Sequence, residues 1–313
     1  MRGAAIAAVG VLLLPVLVIG AAVGGGSAFG GAGILGWGGR PEALADIPPT
    51  FLSLYREAAA RFGVPVEVLA AVGKVECDHG RNPDCAHPNA AGAVGTMQFL
   101  PSTFAAYASA SGSAAPSVLD PRDAVFAAAA LLAANHVTAD PWAAVFAYNH
   151  ADWYVATLLA WAVAYGWAPA DPALLARAVR AHPNIELRPE ADADVAAGRV
   201  DDRLLAVVLI VATTHRLGEV GPFITGHSTY VAGTDRVSNH ALGRAVDLPM
   251  VDAVPVSAGN RAARAVAEEL VALPPGLRPE ELGLPWADLT TLPGVFTDQG
   301  HQDHLHVSAP PDH

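Results

Sequence analysis

Two sets of residues have types and spacings that could do chemistry. The first centres on one carboxyl, Glu76, in the stretch Gly73-Lys74-Val75-Glu76-Cys77-Asp78-His79-Gly80-Arg81. Glu76 falls four residues after Val72 and seven after Leu69, so helical spacing places it on the apolar face. Burial there disfavours the charged form and raises the pKa, which suits a proton donor near neutrality. On position alone, a helix-end Glu turned to solvent is the commoner case. The second set is Ser238-Asn239-His240-Ala241-Leu242-Gly243-Arg244-Ala245-Val246-Asp247 together with His301-Gln302-Asp303-His304-Leu305-His306. Two His at i and i+2 on a strand share a face, so His304 and His306 can address one site. With His240 and Asp247 they form a nitrogen-and-carboxylate set of the kind that holds Zn2+ with a position open for water. A single His is mostly a surface or satisfied core residue. The clustering of several in two short segments is what singles these out.

These residues need elements to position them. Phe51, Leu54, Tyr55, Ala58 and Phe62 recur at helical spacing, and Gly63 ends that helix. Pro65 suits the start of the next, which runs through Val68, Leu69, Val72 and Val75 to Glu76. A loop from Cys77 to Ala91 leads into Gly92-Ala93-Val94-Gly95-Thr96-Met97-Gln98-Phe99-Leu100 and a helix start at Pro101-Ser102-Thr103. Asp120-Pro121 and Asp140-Pro141 cap helices reaching about Asn135 and Tyr148, and a third runs from Asp152 to Gly166. Residues 49–167 therefore read as a compact all-α domain. Residues 168–200 change composition and read as a linker with a short helix from Asp171 to Ala181. From Asp201 an apolar helix through Leu204, Leu205, Val208, Leu209 and Ala212 is expected to pack under a sheet, opening an α+β domain over 201–313.

The chain has 313 residues, room for two domains, and a formal net charge of -12. No Lys/Arg cluster offers a basic stripe, which excludes a nucleic-acid binder. One Arg at position 2 precedes an apolar run from Ala4 to Val23, long enough to span a bilayer with the remainder outside the cytoplasm. The small residues around Ser27 and Ala28 would also suit a cleaved signal peptide, while the length of the run favours an uncleaved anchor. Either way residues 1–23 export the protein, and Gly-rich residues 24–48 read as a flexible tether. The two cysteines, Cys77 and Cys85, are expected to pair in an exported protein, since two thiols cannot complete a zinc shell. Two free buried thiols are the alternative.

The motifs Val-Glu-Cys-Asp-His-Gly-Arg, Gly-Ala-Val-Gly-Thr-Met-Gln-Phe-Leu-Pro-Ser-Thr-Phe and Ala-Tyr-Asn-His, in that order over about 120 residues, resemble those of the soluble lytic transglycosylases, which have a lysozyme-like fold. The resemblance implies that Glu76 is the catalytic acid, that Met97 and Gln98 line the substrate groove, and that Tyr148 and Asn149 sit near the cleaved bond. Cys77 departs from the family, which usually has Ser after the Glu. A single carboxyl fits this chemistry. A glycosidase normally needs two carboxylates, and Asp78 and Asp84 read as turn residues. A transglycosylase uses the substrate as its own nucleophile: Glu76 would protonate the bond between N-acetylmuramic acid and N-acetylglucosamine, then serve as base on the muramoyl 6-hydroxyl, leaving a 1,6-anhydro end.

The pattern Ser-Asn-His-x-x-Gly-Arg-Ala-x-Asp followed by His-x-His, over about 110 residues, resembles the zinc metallopeptidases that include D-Ala-D-Ala carboxypeptidases and peptidoglycan endopeptidases. It implies His240, Asp247 and His306 as zinc ligands and His304 as the group assisting the attacking water. That family often has an Arg ahead of the first motif; here His227 and Arg236 both stand in range. The whole reads as a multidomain, bifunctional peptidoglycan hydrolase at the cell wall, its partners peptidoglycan and, through the N-terminal segment, the membrane. Two other readings are a lysozyme-type hydrolase using water and a non-catalytic wall-binding component of an envelope-spanning secretion or conjugation apparatus.

Overall fold

The computed structural model describes residues 41–274 and 276–310. The apolar run at 4–23 and most of the expected tether lie outside them. Among the described residues no helix is long and apolar enough to cross a membrane.

The first half is helical: α1 (Pro41–Leu44), α2 (Pro49–Phe62), α3 (Val66–Cys77), α4 (Pro101–Tyr107), α5 (Pro121–Ala134), α6 (Pro141–Tyr148) and α7 (Asp152–Ala164). Its starts follow the chemistry expected of them. Asp120 accepts from the backbone of Arg122 and Asp123, and Asp140 from that of Ala143, each satisfying donors that a first turn leaves free. Helix α3 runs through the middle, with Val68 to Val72 fully buried and α2, α5 and α7 packed around it. It ends sharply because Asp78 and His79 both take left-handed conformations, φ 47° and 54°. That reversal swings His79 back into the core.

The second half continues with α8 (Leu174–Ala181), β1 (Ile185–Leu187), α9 (Pro189–Ala196), α10 (Asp202–Ala212), β2 (Leu217–Val220), β3 (Ala245–Leu248), β4 (Met250–Val251), β5 (Val254–Pro255), α11 (Arg261–Ala272), β6 (Leu282–Gly283), β7 (Val295–Phe296) and β8 (Leu305–Ser308). Two small sheets form, ordered β1-β2-β4-β5 and β3-β8-β6-β7. Antiparallel β3 and β8 place Asp247 directly opposite His306.

Three expectations need correction. The stretch 168–200 is not a free linker. It supplies α8 and α9, and β1 pairs in parallel with β2, so its backbone is committed to the second half. Helix α10 packs chiefly on α7 and α8. Helix α7 is consequently buried around its circumference from Tyr154 to Ala164, as expected of a helix with apolar residues on every side, and one continuous apolar core runs through both halves. The last residues of the expected tether, 41–48, also fold. They form α1 and deliver Asp46, which is buried, to the base of α3.

Asp46 anchors a polar chain through this core. It takes Lys74 at 3.0 Å and Arg81 at 3.1 Å as ionic partners and accepts from the Tyr165 hydroxyl at 2.6 Å. Since the Tyr165 proton goes to Asp46, its oxygen is left to accept from His79 Nε2 at 2.9 Å, and Tyr55 then donates to His79 Nδ1 at 3.0 Å. His79 is thus neutral, in keeping with burial lowering its pKa. The Tyr55 hydroxyl reaches it across Gly73, where an added Cβ would overlap that oxygen. Gly73→Ala is therefore expected to destabilise the protein by about 1–3 kcal/mol, read as a lower urea midpoint. Adding Tyr55→Phe, which removes the clashing oxygen, should recover part of the loss; no recovery would mean the hydroxyl is not the obstacle.

Candidate active site

Glu76 lies one residue from the end of α3, half-buried, on the side of the helix away from the Asp46 chain. Lys74, two residues earlier, points the other way, toward Asp46, Asp78 and the Trp161 ring. Its charge is neutralised there and is not spent on Glu76. The partner Glu76 does have is the Tyr154 hydroxyl, which donates to Oε1 at 2.5 Å from the first turn of α7. Burial raises the Glu76 pKa to about 7, against the lowering effect of that hydrogen bond. Burial and the neighbouring Glu76 charge together push Tyr148 and Tyr154 well above the usual phenol range, so both stay protonated. A carboxyl poised near neutrality and bonded to a neutral phenol can give up a proton and take one back.

No motif in the sequence marks Tyr154. The available signal is its place in the first turn of the helix that follows Tyr148-Asn149. Its contribution is testable without any substrate. In Tyr154→Phe the Glu76 carboxyl, followed by 13C NMR, is expected to titrate about one pH unit higher, because a hydrogen bond to the charged form is worth about 1.5 kcal/mol. An unmoved titration would deny the bond a role.

Met97 and Gln98 occupy the tip of a tight hairpin in which Val94 and Phe99 bond to each other through both backbone groups. The hairpin needs glycine at 95, where φ is 84° and a Cβ would overlap the Val118 carbonyl oxygen. Met97 was expected in the substrate groove, but its side chain is 0% exposed and packs in the core. What it offers the site is its carbonyl, which accepts from the Tyr148 hydroxyl at 2.7 Å. Gln98 is half-buried, donating to the Gly95 carbonyl and accepting from Asn89. Tyr148 rests its ring on Phe99 at 5.5 Å. Asn149 is half-buried just past the end of α6, between Tyr148 and the turn into α7. Cys77 and Cys85 are joined in a disulfide, with Cα atoms 6.1 Å apart, closing the loop that follows Glu76. Asp78 is held well below the usual carboxylate range by Arg81 and Lys74, against burial, and Asp84 is exposed. Neither partners Glu76.

Comparison with known protein families decides the helical half. Residues 53–158 match the Transglycosylase SLT domain. The match begins in α2, ends in α7 and spans Glu76, Met97, Gln98, Tyr148, Asn149 and Tyr154. The chain thus carries a helical, lysozyme-like SLT domain followed by a small sheet region. No curated protein and no solved structure matches the chain.

The sheet region gathers the second set. His240 Nε2 lies 3.3 Å from Asp247 Oδ1 and 3.1 Å from His306 Nδ1, and His306 Nδ1 is 3.4 Å from the same Asp247 oxygen. His304 Nε2 comes within 3.5 Å of it. His240 Nδ1 faces the Phe223 carbonyl at 2.9 Å; a carbonyl only accepts, so Nδ1 carries the proton and Nε2 presents a lone pair. That lone pair accepts from His306 Nδ1 at 3.1 Å and also lies 3.3 Å from an Asp247 oxygen that is buried with no hydrogen-bond partner among the described residues. On the far side, His306 Nε2 is 3.6 Å from Glu281, which is itself held by Arg236 and Asn239. Two ligands bound tetrahedrally at about 2.0–2.1 Å stand about 3.3 Å apart. The three separations among His240, Asp247 and His306 match that spacing, and their donor types suit Zn2+.

Proposed function

We propose that the protein is a peptidoglycan lytic transglycosylase, acting outside the cytoplasm on the glycan strand. The observation that carries this reading is the lone, half-buried Glu76 with its raised pKa, bonded to a phenol and not to a second carboxylate. A water-using glycosidase places two carboxyls across the bond, one to hold the acid role and one to serve as base or nucleophile. Here one group must do both jobs in turn. Glu76 protonates the glycosidic oxygen, and its carboxylate then takes the proton of the muramoyl 6-hydroxyl as that oxygen closes on the anomeric carbon. Tyr154 steadies the carboxylate between the two steps. Tyr148, fixed on the Met97 carbonyl, holds the hairpin that carries Gln98. The test is digestion of purified peptidoglycan with products identified by mass. Products ending in 1,6-anhydromuramic acid are expected, and reducing ends alone would overturn the reading.

We further propose that the sheet region is a zinc peptidase acting on peptide stems of the same polymer. His240, Asp247 and His306 would hold the ion, supported by the lone-pair-to-carboxylate contact that a cation would relieve. Bound there, zinc supplies Lewis acidity toward an amide carbonyl and toward water as nucleophile. The chain's own part is to orient these ligands: the Phe223 carbonyl fixes the His240 tautomer, and Glu281 aligns His306. His304, beside Asp247 and bonded to Asp303 at 2.9 Å, is placed to take or give a proton at its exposed edge.

A further inference from the structure

His227 precedes the His240 motif on an exposed loop and has so far no role. Its ring stacks on that of His240, with centroids 3.8 Å apart and planes within 12°. One nitrogen of His227, one of His240 and a carboxylate oxygen of Asp247 lie within 4.8 Å of one another. His227 Nδ1 faces the Ser228 carbonyl at 3.0 Å, so that nitrogen carries the proton and Nε2 is a bare lone pair. This decides what the residue can do. A neutral imidazole with that tautomer cannot donate to a substrate oxyanion through Nε2; it can only accept a proton or bind a cation. Arg236, the other candidate ahead of the motif, is committed to Glu281 at 2.6 Å. The same salt bridge ties the far end of the loop to the carboxylate that flanks His306. The His227, His240 and Asp247 ligand atoms, at most 4.8 Å apart, need to close by on the order of 1–2 Å to reach tetrahedral spacing, and since imidazole lone pairs lie in the ring plane the His227 ring must also tilt out of its stack on His240, a movement open to a ring on an exposed loop.

We propose that His227 is a fourth ligand of the metal held by His240, Asp247 and His306, supplied by the loop and closing the position that hydrolysis needs open. This rests on the zinc reading given above. His240 and His306 are buried and Asp247 is half-buried, whereas His227 is exposed, so it is the ligand a peptide would displace.

The test uses the full chain loaded with Zn2+ alone. X-ray absorption at the zinc edge counts bound imidazoles, and competition with a chelator gives the Kd. Three imidazoles are expected in the parent protein and in His304→Ala, and two in His227→Ala, with zinc binding at least about tenfold weaker in the latter. Two imidazoles in the parent protein, or an unchanged count and Kd in His227→Ala, would overturn the proposal while leaving the three-ligand site intact. Loss of the third imidazole in His304→Ala instead would overturn it in favour of His304. A parent protein that takes up no zinc would remove the zinc reading itself.

Discussion

The Glu76→Gln protein is expected to lose glycan cleavage by on the order of 10²–10⁴-fold while becoming harder to unfold above neutral pH. Both effects come from the same burial. Glutamine keeps the shape and can still accept from Tyr154, but it has no proton to give, so the first step of the cleavage fails. On stability the sign follows from proton uptake. Between the ordinary value of 4.5 and the folded value of about 7, the native state holds a proton that the unfolded chain has lost. Stability therefore falls as pH rises through that window, and above it the folded protein carries the cost of an ionised, desolvated carboxyl. The displacement corresponds to about 3 kcal/mol. Gln removes that cost, so denaturant midpoints should coincide near pH 4 and diverge above pH 7 in favour of the variant. Coinciding midpoints at pH 8 would show that Glu76 is not desolvated. The same displacement predicts a glycan-cleavage rate that declines as pH rises past about 7, because the acid must enter the reaction protonated.

The Glu76 position was legible because it needs only local information. Helical spacing put it on the apolar face, and burial did the rest. Tyr154 was not legible, since its bond to Glu76 joins residues 78 apart and depends on α7 lying alongside α3. Asp46 was hidden for a different reason. It sits in a short segment after a Gly-rich run, with no period to mark it, and its place is defined by Lys74, Arg81 and Tyr165, none of which is its neighbour in sequence. Met97 shows how a motif can be found and its geometry missed: the hairpin turns the side chain inward and leaves its carbonyl to act. In the sheet region, His304 and His306 were expected to share a face by alternation along a strand, but β8 begins at Leu305, so His304 reaches Asp247 from the bend before it. That Asp247 stands opposite His306 is a matter of strand register, which no short-range pattern encodes. The packing of α10 on α7 was misjudged because an apolar helix reveals how much surface it must bury, not which partner buries it.

If the sheet region is the zinc peptidase proposed, Asp247→Ala separates its activity from glycan cleavage. The variant is expected to lose zinc binding and peptide-stem cleavage while cutting glycan at the parent rate, because Glu76, Tyr154 and the Met97 hairpin all belong to the helical half. The size of the effect can be read without any substrate. At free zinc about 1,000 times its Kd, a ligand that binds only the folded protein stabilises it by about 4 kcal/mol, and the variant should gain none of this. The metal-free proteins sharpen the interpretation. If Asp247 served only as an ion-pair partner for His306, whose pKa Asp247 and Glu281 push up to about 8 against burial, its loss would already weaken the fold without metal. It is such a partner as well as a proposed ligand, so the metal-free variant is expected to melt somewhat below the metal-free parent, and only the further loss of stabilisation by zinc reports ligation. Equal stabilisation of parent and variant by zinc, or equal peptide release from both, would remove Asp247 from the site. Glycan cleavage that fell along with zinc binding would instead mean that the α7–α10 contact couples the two halves, and that neither works as an independent unit.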